Sequence, residues 1–245
     1  MPHLKEHDTM CFIQPEWSRE LPIVAAMVYG RPNKAIMGSK CWNFSFKGID
    51  SALDVDRNRA SLAQRLGLPL QWLQQIHSAE VHPVQHNSVA DGCYTTKVAE
   101  AAIVCTADCI PILLYDPCTK VVAALHAGWR GLFQGIIAQA FRVMPGQSHC
   151  YYAWIGPSIS KKHYEVSYDF VCNFLQAYDG LRSCFSWDQG KYYADLPAIA
   201  AQMLQNCGVR TIEQSGICTY EDARFFSNRR DGRVDGTMAS FICRY

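Results

Sequence analysis

Three residues of the chain have side chains that could share one metal ion. His77, Cys109 and His126 each stand next to an apolar run of the kind expected for a buried strand. Two imidazoles and a thiolate suit a borderline-soft ion such as zinc, and three protein ligands leave a fourth position for water or substrate. Such an ion lowers the pKa of a bound water far below that of bulk water, to about 7. The residue types therefore predict a catalytic metal site.

A hairpin would bring two of these residues together. Residues 110–115 and 121–124 are apolar, and Asp-Pro-Cys-Thr-Lys separates them. Short apolar runs on either side of such a turn signal predict paired antiparallel strands. Because the start of the first strand then lies beside the end of the second, Cys109 and His126 are expected to be neighbours.

Other interpretations of the same side chains remain open at this point. Cys109 and His126 could form a metal-free thiolate–imidazolium pair with Asp108 as the orienting acid. Asp108 could equally hold an imidazole that binds a metal, or cap a turn. Two histidines and a cysteine also describe a blue-copper site, so copper is an alternative to zinc. Eight histidines are few for a multicopper oxidase, and free cysteines are often plain core residues.

Three arginines form a candidate phosphate site. Arg130 lies between glycines where a helix is expected to begin, and a helix start with a guanidinium suits an anion. Arg229 and Arg230 in the C-terminal loop could clamp a phosphate or could be solvated surface. Nearby aromatic side chains could stack on a flat ring or pack the loops onto the core; they are Trp129, Phe225 and Phe226.

Composition restricts the class of protein. The 245 residues are 49% apolar and carry a net charge of +1, which argues against nucleic acid and membrane surfaces as partners. No apolar run is long enough to span a bilayer. Twelve cysteines without a secretory signal are expected to be reduced in a cytoplasmic protein.

One mixed α/β domain is predicted over residues 22–245, after a loose lead-in over residues 1–21. A strand over residues 70–76 is expected to deliver His77, and residues 86–100 are expected to be loop. Further strands are expected over 22–29, 81–85, 101–105, 110–115, 121–124, 151–155, 192–194, 211–214 and 239–245. Helices are expected over 54–66, 132–144, 168–178 and 196–207.

Several segments resemble those of one known family. TADCIPILLYD and HAGWRG look like the signature of the YfiH-type laccase-domain proteins, described both as laccase-like polyphenol oxidases and as purine nucleoside phosphorylases. QQIHSAEVH, IGPSISKKHYEV and CTYEDARFFSNRRDG resemble further segments of that family. The resemblance covers roughly residues 22–245, and His77, Cys109 and His126 match the zinc ligands of the family.

The resemblance implies a fold and an activity. The fold would be a layered α/β/β/α sandwich with mixed sheets, of the type shared with cysteine-hydrolase-like toxins. The activity would be phosphorolysis of adenosine, inosine and methylthioadenosine to the base and ribose 1-phosphate or its methylthio analogue, with adenosine deamination also attributed to the family. Asn43 lies where the family has Asn-Leu-Gly and would bind substrate.

Two segments depart from the family pattern. MVYGRPNKAI from Met27 replaces Ser-x-Arg-x-Gly-Gly-x-Ser, and Asp235-Gly236-Thr237 replaces the closing Thr-Gly-Arg. Both would line the pocket mouth. A purine-binding module without turnover is therefore kept as an alternative to the phosphorylase. A copper-dependent polyphenol oxidase is another, because two histidines and a cysteine also describe a blue-copper site.

Overall fold

The computed structural model describes residues 10–30, 41–48, 50–85, 87–232 and 236–245. Within these ranges the strands are β1 (Cys11–Ile13), β2 (Ile23–Tyr29), β3 (Val81–Pro83), β4 (Gly92–Thr95), β5 (Ala101–Thr106), β6 (Ile110–Asp116), β7 (Val121–Ala127), β8 (Tyr152–Ile155), β9 (Glu165–Val166), β10 (Phe185–Asp188), β11 (Lys191–Ala194), β12 (Thr211–Gln214) and β13 (Met238–Arg244). The helices are α1 (Ala52–Leu66), α2 (Trp129–Phe133), α3 (Ile136–Val143), α4 (Tyr168–Ala177), α5 (Leu196–Asn206) and α6 (Asn228–Asp231).

Two large sheets pack face to face in the centre of the molecule. The four-stranded sheet has the order β1-β2-β13-β5, and the six-stranded sheet has the order β12-β8-β6-β7-β4-β3. Met27 of β2 and Val104 of β5 share one core with Leu113 and Val122 of the other sheet. Strands covered on both faces need apolar side chains at every position, which explains their uninterrupted apolar runs.

Helices cover the outer face of each sheet. Leu62 of α1 packs on the four-stranded sheet against Val24, and α2 to α5 pack on the six-stranded sheet, where Ile199 joins the core of Ile112 and Leu125. The β8–β12 and β3–β4 pairs are parallel, whereas β6 and β7 pair antiparallel. The layered α/β/β/α sandwich is therefore confirmed, with a mixed six-stranded sheet and a four-stranded sheet whose pairings are antiparallel.

The prediction of a strand over residues 70–76 was wrong. This segment has no strand pairing, although it runs past β5 at the edge of the four-stranded sheet. The Gln75 side chain takes the place of a paired strand, because its amide accepts from Cys105 N and donates to Cys105 O, both at 2.8 Å. A side-chain amide offers the same donor and acceptor as a peptide group.

The remaining differences between the predicted and the observed elements are smaller. Residues 92–95 of the expected loop over 86–100 form β4, and the helix expected over 132–144 is α2 and α3, divided at Gly135. The lead-in is not loose throughout, because β1 pairs with β2. The domain division at residue 22 stays a prediction. No described helix is long and apolar enough to cross a membrane.

Candidate metal centre

The hairpin of β6 and β7 brings a thiol and an imidazole together. Pro111 pairs with His126 and Ile110 with Ala127, and Cys109 stands one residue before β6. Cys109 therefore lies beside the end of β7, as the hairpin prediction required. His126 is 3% exposed, so its ring has little access to bulk water.

His77 completes the cluster from a loop. Its Nε2 is 4.0 Å from Cys109 Sγ, and its ring meets that of His126 edge-on at a centroid distance of 4.7 Å. One donor atom from each of the three residues lies within 4.8 Å of the other two. The structure thus brings all three sequence-predicted ligands to one place, although they come from separate parts of the chain.

Gly128 keeps the space between the three side chains open. A Cβ at this position would lie 3.0 Å from Cys109 Sγ, 3.2 Å from His77 Cδ2 and 3.7 Å from His126 Nε2. Donors bound at 2.0–2.3 Å to a tetrahedral ion are themselves about 3.3–3.8 Å apart, close to the spacing seen here. The donor set and the space beside Gly128 therefore fit a metal ion.

Asp91 holds both histidines in position. Its Oδ1 is 2.7 Å from His126 Nδ1 and accepts from His77 N at 3.0 Å. Its Oδ2 accepts from the backbone N–H and the hydroxyl of Ser78 at 2.6 and 2.8 Å. A carboxylate on the far nitrogen of an imidazole fixes the tautomer and directs the other nitrogen to the site. Sequence reasoning missed Asp91, which it left inside a loop.

The charges of the cluster depend on one another in the absence of a metal. Burial opposes ionisation of Cys109, but the charge and hydrogen bonds of His126 and then His77 outweigh it and lower the thiol pKa from 9.0 to about 6. Burial likewise opposes the charged form of His126, yet Cys109 and Asp91 raise its pKa from 6.5 to about 9. The site therefore favours a thiolate, which is the form that binds metals.

Asp108 does not contact either imidazole through its side chain. Its Oδ1 accepts from Thr219 Oγ1 and its Oδ2 from Arg229 N, both at 2.7 Å. The carboxylate expected beside an imidazole is Asp91 instead. Asp108, the residue before Cys109, therefore connects the start of β6 to the C-terminal loop. Its φ of 76° turns the chain at this point.

Two of the predicted phosphate ligands, Arg229 and Arg130, influence the ionisation of one tyrosine. The Arg229 guanidinium carbon lies 5.1 Å from the Tyr164 ring centroid. Burial and then the Cys109 charge raise the pKa of Tyr164, while Arg229 and Arg130 act in the opposite direction. The Arg130 guanidinium lies over the Trp129 ring at 4.4 Å and forms no ion pair within the described ranges. The sequence contained Tyr164 only as part of a family segment.

The other two predicted substrate ligands have internal partners. Arg230 donates to the carbonyls of Thr219, Tyr220 and Phe225 at 2.6–2.9 Å and pairs with Asp231 at 2.7 Å. Asn43 Oδ1 accepts from Ser45 N and Thr237 N, and its Nδ2 donates to Ser45 O. Both side chains therefore brace loops in this structure.

The aromatic residues near these loops mainly pack. Phe225 stacks on Tyr29 at a centroid distance of 4.7 Å, and Phe225 and Phe226 are both buried between the two large sheets. Trp129 packs against Phe170 at 5.5 Å. For the two phenylalanines, packing is what the structure supports.

Two cavities lie near the cluster without including its three side chains. One, of about 370 Å³, opens at the ends of the parallel strands β8 and β12; its lining includes Ser158, Ser160, Lys161, Lys162 and Gly216. The other, of about 480 Å³, lies beside Ser78 and Gly135. Of the segments that depart from the family pattern, residues 31–36 and 235 lie outside the described ranges.

Fold and site together define a class: layered α/β/β/α proteins with two histidines and a cysteine gathered at the open end of a β-hairpin. The chain belongs to the family described as multi-copper polyphenol oxidoreductase laccase, whose model matches residues 35–245. The family and the site geometry together suggest a bound metal.

Similar proteins carry a different functional name. A Haemophilus influenzae protein named purine nucleoside phosphorylase is 36% identical over 239 residues, covering 94% of this chain and 98% of its own length. The Escherichia coli purine nucleoside phosphorylase YfiH is 34% identical over 79% of this chain and 82% of its own. A solved Neisseria meningitidis structure superposes with a TM-score of 0.86 at 32% identity, covering 95% of this chain and 98% of that one.

Proposed function

We propose that this chain is a purine nucleoside phosphorylase that acts on adenosine, inosine and methylthioadenosine at a zinc ion held by His77, Cys109 and His126. The observation that carries the proposal is the convergence of these three donors beside Gly128, two residues before Arg130, whose guanidinium has no ion-pair partner among the described residues. The names of the relatives support the reaction class.

The reaction needs an anion at the sugar and a proton for the base. A phosphate oxygen forms a bond to the anomeric carbon, the glycosidic C–N bond breaks, and its electron pair leaves with the purine, which is then protonated. Arg130 and Arg229 hold the phosphate, and holding both reactants can lower the barrier by about 7–11 kcal/mol. Tyr164, whose ring lies 5.1 Å from the Arg229 guanidinium carbon, is protonated at neutral pH and can donate a hydrogen bond to the substrate. A bound zinc ion would supply Lewis-acid polarisation.

The test follows products rather than nucleoside loss. Purified protein is incubated with adenosine or inosine, with and without phosphate, and the products are separated. Adenine from adenosine or hypoxanthine from inosine, together with ribose 1-phosphate, should appear only with phosphate. Inosine formed from adenosine without phosphate would reveal deamination. If neither product forms, the purine proposal fails. Oxygen uptake on a diphenol by copper-loaded protein would then support the oxidase in the family description.

The two adjacent arginines give a matched pair of variants. Arg229→Gln should raise the phosphate KM several-fold or more with little change in melting temperature, because the Arg229 guanidinium faces Tyr164 and makes one backbone hydrogen bond. Arg230→Gln should mainly lower the melting temperature, since its partners lie within the loop. The opposite pattern would move the phosphate site to Arg230.

A further inference from the structure

The turn of the β6–β7 hairpin gathers a second set of metal-binding side chains. Tyr115 of β6 pairs with Tyr152 of β8, so the residues after β6 and before β8 meet at the same end of the sheet. Cys118 in the turn and Cys150 before β8 are therefore close, and their sulfurs lie within 4.8 Å of each other and of an Asp116 carboxylate oxygen.

Asp116 is a fully buried carboxylate without an ion-pair partner in the described parts of the chain. Its Oδ1 accepts from Cys118 N at 2.8 Å and its Oδ2 from Thr119 Oγ1 at 2.5 Å. A Cβ on Gly146 would collide with Oδ2, so glycine at this position makes room for the carboxylate. Buried charges are usually paired or bound to metals, and within the described residues Asp116 makes hydrogen bonds but no ion pair.

We propose that Asp116, Cys118 and Cys150 form a second metal site, which takes a thiophilic divalent cation of the zinc class. Two sulfurs and a carboxylate oxygen suit such an ion, and a water would complete four-coordination. Cys118 is exposed and gives the ion access from solvent. The site lies at the opposite end of the hairpin from His77, Cys109 and His126, and it does not depend on the proposed phosphorolysis.

The geometry of the cluster suits a cation. Two thiols and a carboxylate oxygen lie within 4.8 Å of one another, and ionising both thiols beside the carboxylate would concentrate negative charge that a divalent ion neutralises. A disulfide between the two cysteines is the competing outcome, and it would leave no thiolate to bind a metal.

The test counts metal equivalents on the reduced, full-length chain with Co²⁺ as the probe, because cobalt–thiolate bonds absorb in the near ultraviolet. The wild-type protein should bind two equivalents. Cys118→Ser and Cys150→Ser should each bind one, Asp116→Asn should bind the second equivalent at least tenfold more weakly, and the control Cys207→Ser should bind two. Cys109→Ala should still bind one equivalent of Co²⁺, with cobalt–thiolate absorption. The double variant Cys109→Ala with Cys118→Ser should bind none.

Three results would overturn the proposal. One is a single equivalent on the wild type that Cys109→Ala abolishes, and another is an unchanged count in Cys118→Ser. The third is a mass about 2 Da lower under non-reducing conditions, localised to Cys118 and Cys150, with no second equivalent bound after reduction; it would show a redox pair instead. Because Cys118 is exposed, its serine variant should fold, and the melting curve of the metal-free variant verifies this.

Discussion

Asp91 is the residue on which both histidine ligands depend. We expect Asp91→Asn to weaken metal affinity about 10–100-fold, the range for partners of metal-bound imidazoles. An amide has only one acceptor oxygen, whereas the carboxylate accepts from His77 N, Ser78 N and the His126 ring. Its NH₂ group would have to face one of these donors.

A competition titration against a chromophoric chelator measures this loss of affinity. Asp188→Asn removes an exposed carboxylate in β10 and should leave the affinity unchanged. If Asp91→Asn bound the ion as tightly as the wild type, Asp91 would be a structural residue without influence on the metal.

Cys109 should behave as a thiolate at neutral pH once the metal is removed. With a pKa near 6, about nine-tenths of it is ionised at pH 7, against about one-hundredth for an ordinary thiol of pKa 9. Its alkylation by iodoacetamide should therefore be nearly constant above pH 7 and fall as the pH drops through 6. Burial raises the pKa of Cys93 to about 12, so that thiol should react little.

Peptide mapping by mass spectrometry separates Cys109 from the other cysteines in this experiment. His126→Gln should move the midpoint of the Cys109 profile upward, because the imidazolium is the main cause of the low pKa. Zinc should protect Cys109 in the wild type. A midpoint that stays near 8 or above in the metal-free wild type would contradict the charge coupling described here.

At the scale of elements, the junction between β7 and α2 must leave space for the ion. Gly128 has φ −70° and ψ 168°, a conformation open to any residue, so the backbone does not require glycine here. Gly128→Ala should nevertheless lower metal affinity at least tenfold, because its methyl would press on Cys109 Sγ and His77. The metal-free melting temperature should change little. Unaltered affinity would place the ion on another side of the cluster.

The hairpin was predictable because its information is local. The runs over 110–115 and 121–124 and the turn between them lie within sixteen residues, and the register that joins Cys109 to His126 follows from that turn. Asp91 was not predictable in this way. It is one residue before β4, whose Gly92 pairs with Leu125, so only the non-local pairing of β4 with β7 sets Asp91 beside His126.

The error over residues 70–76 has a similar origin. The apolar residues of this segment suit a strand. The segment nevertheless runs along the edge of the four-stranded sheet with the side-chain amide of Gln75 in place of a ladder of backbone hydrogen bonds. The free energy of such an arrangement depends on the hydrogen-bonding groups and side chains at the edge of the sheet. Local strand propensity does not encode these. The layered sandwich, in contrast, was expected from the family resemblance, and coverage of both faces explains the uninterrupted apolar runs of β2, β6 and β7.

For the whole molecule, a metal at His77, Cys109 and His126 would join an irregular segment to the central six-stranded sheet. An ion present at 100 times its Kd stabilises the native state by about 2.7 kcal/mol. For a chain of this size, its removal by a chelator should lower the melting temperature by about 5–11 °C. Scanning calorimetry with and without chelator measures the shift, and zinc should restore it. In the Cys118→Ser background, which lacks the second proposed site, Cys109→Ser should melt at one temperature under both conditions. A Cys118→Ser protein indifferent to chelator would show that no ion links these elements.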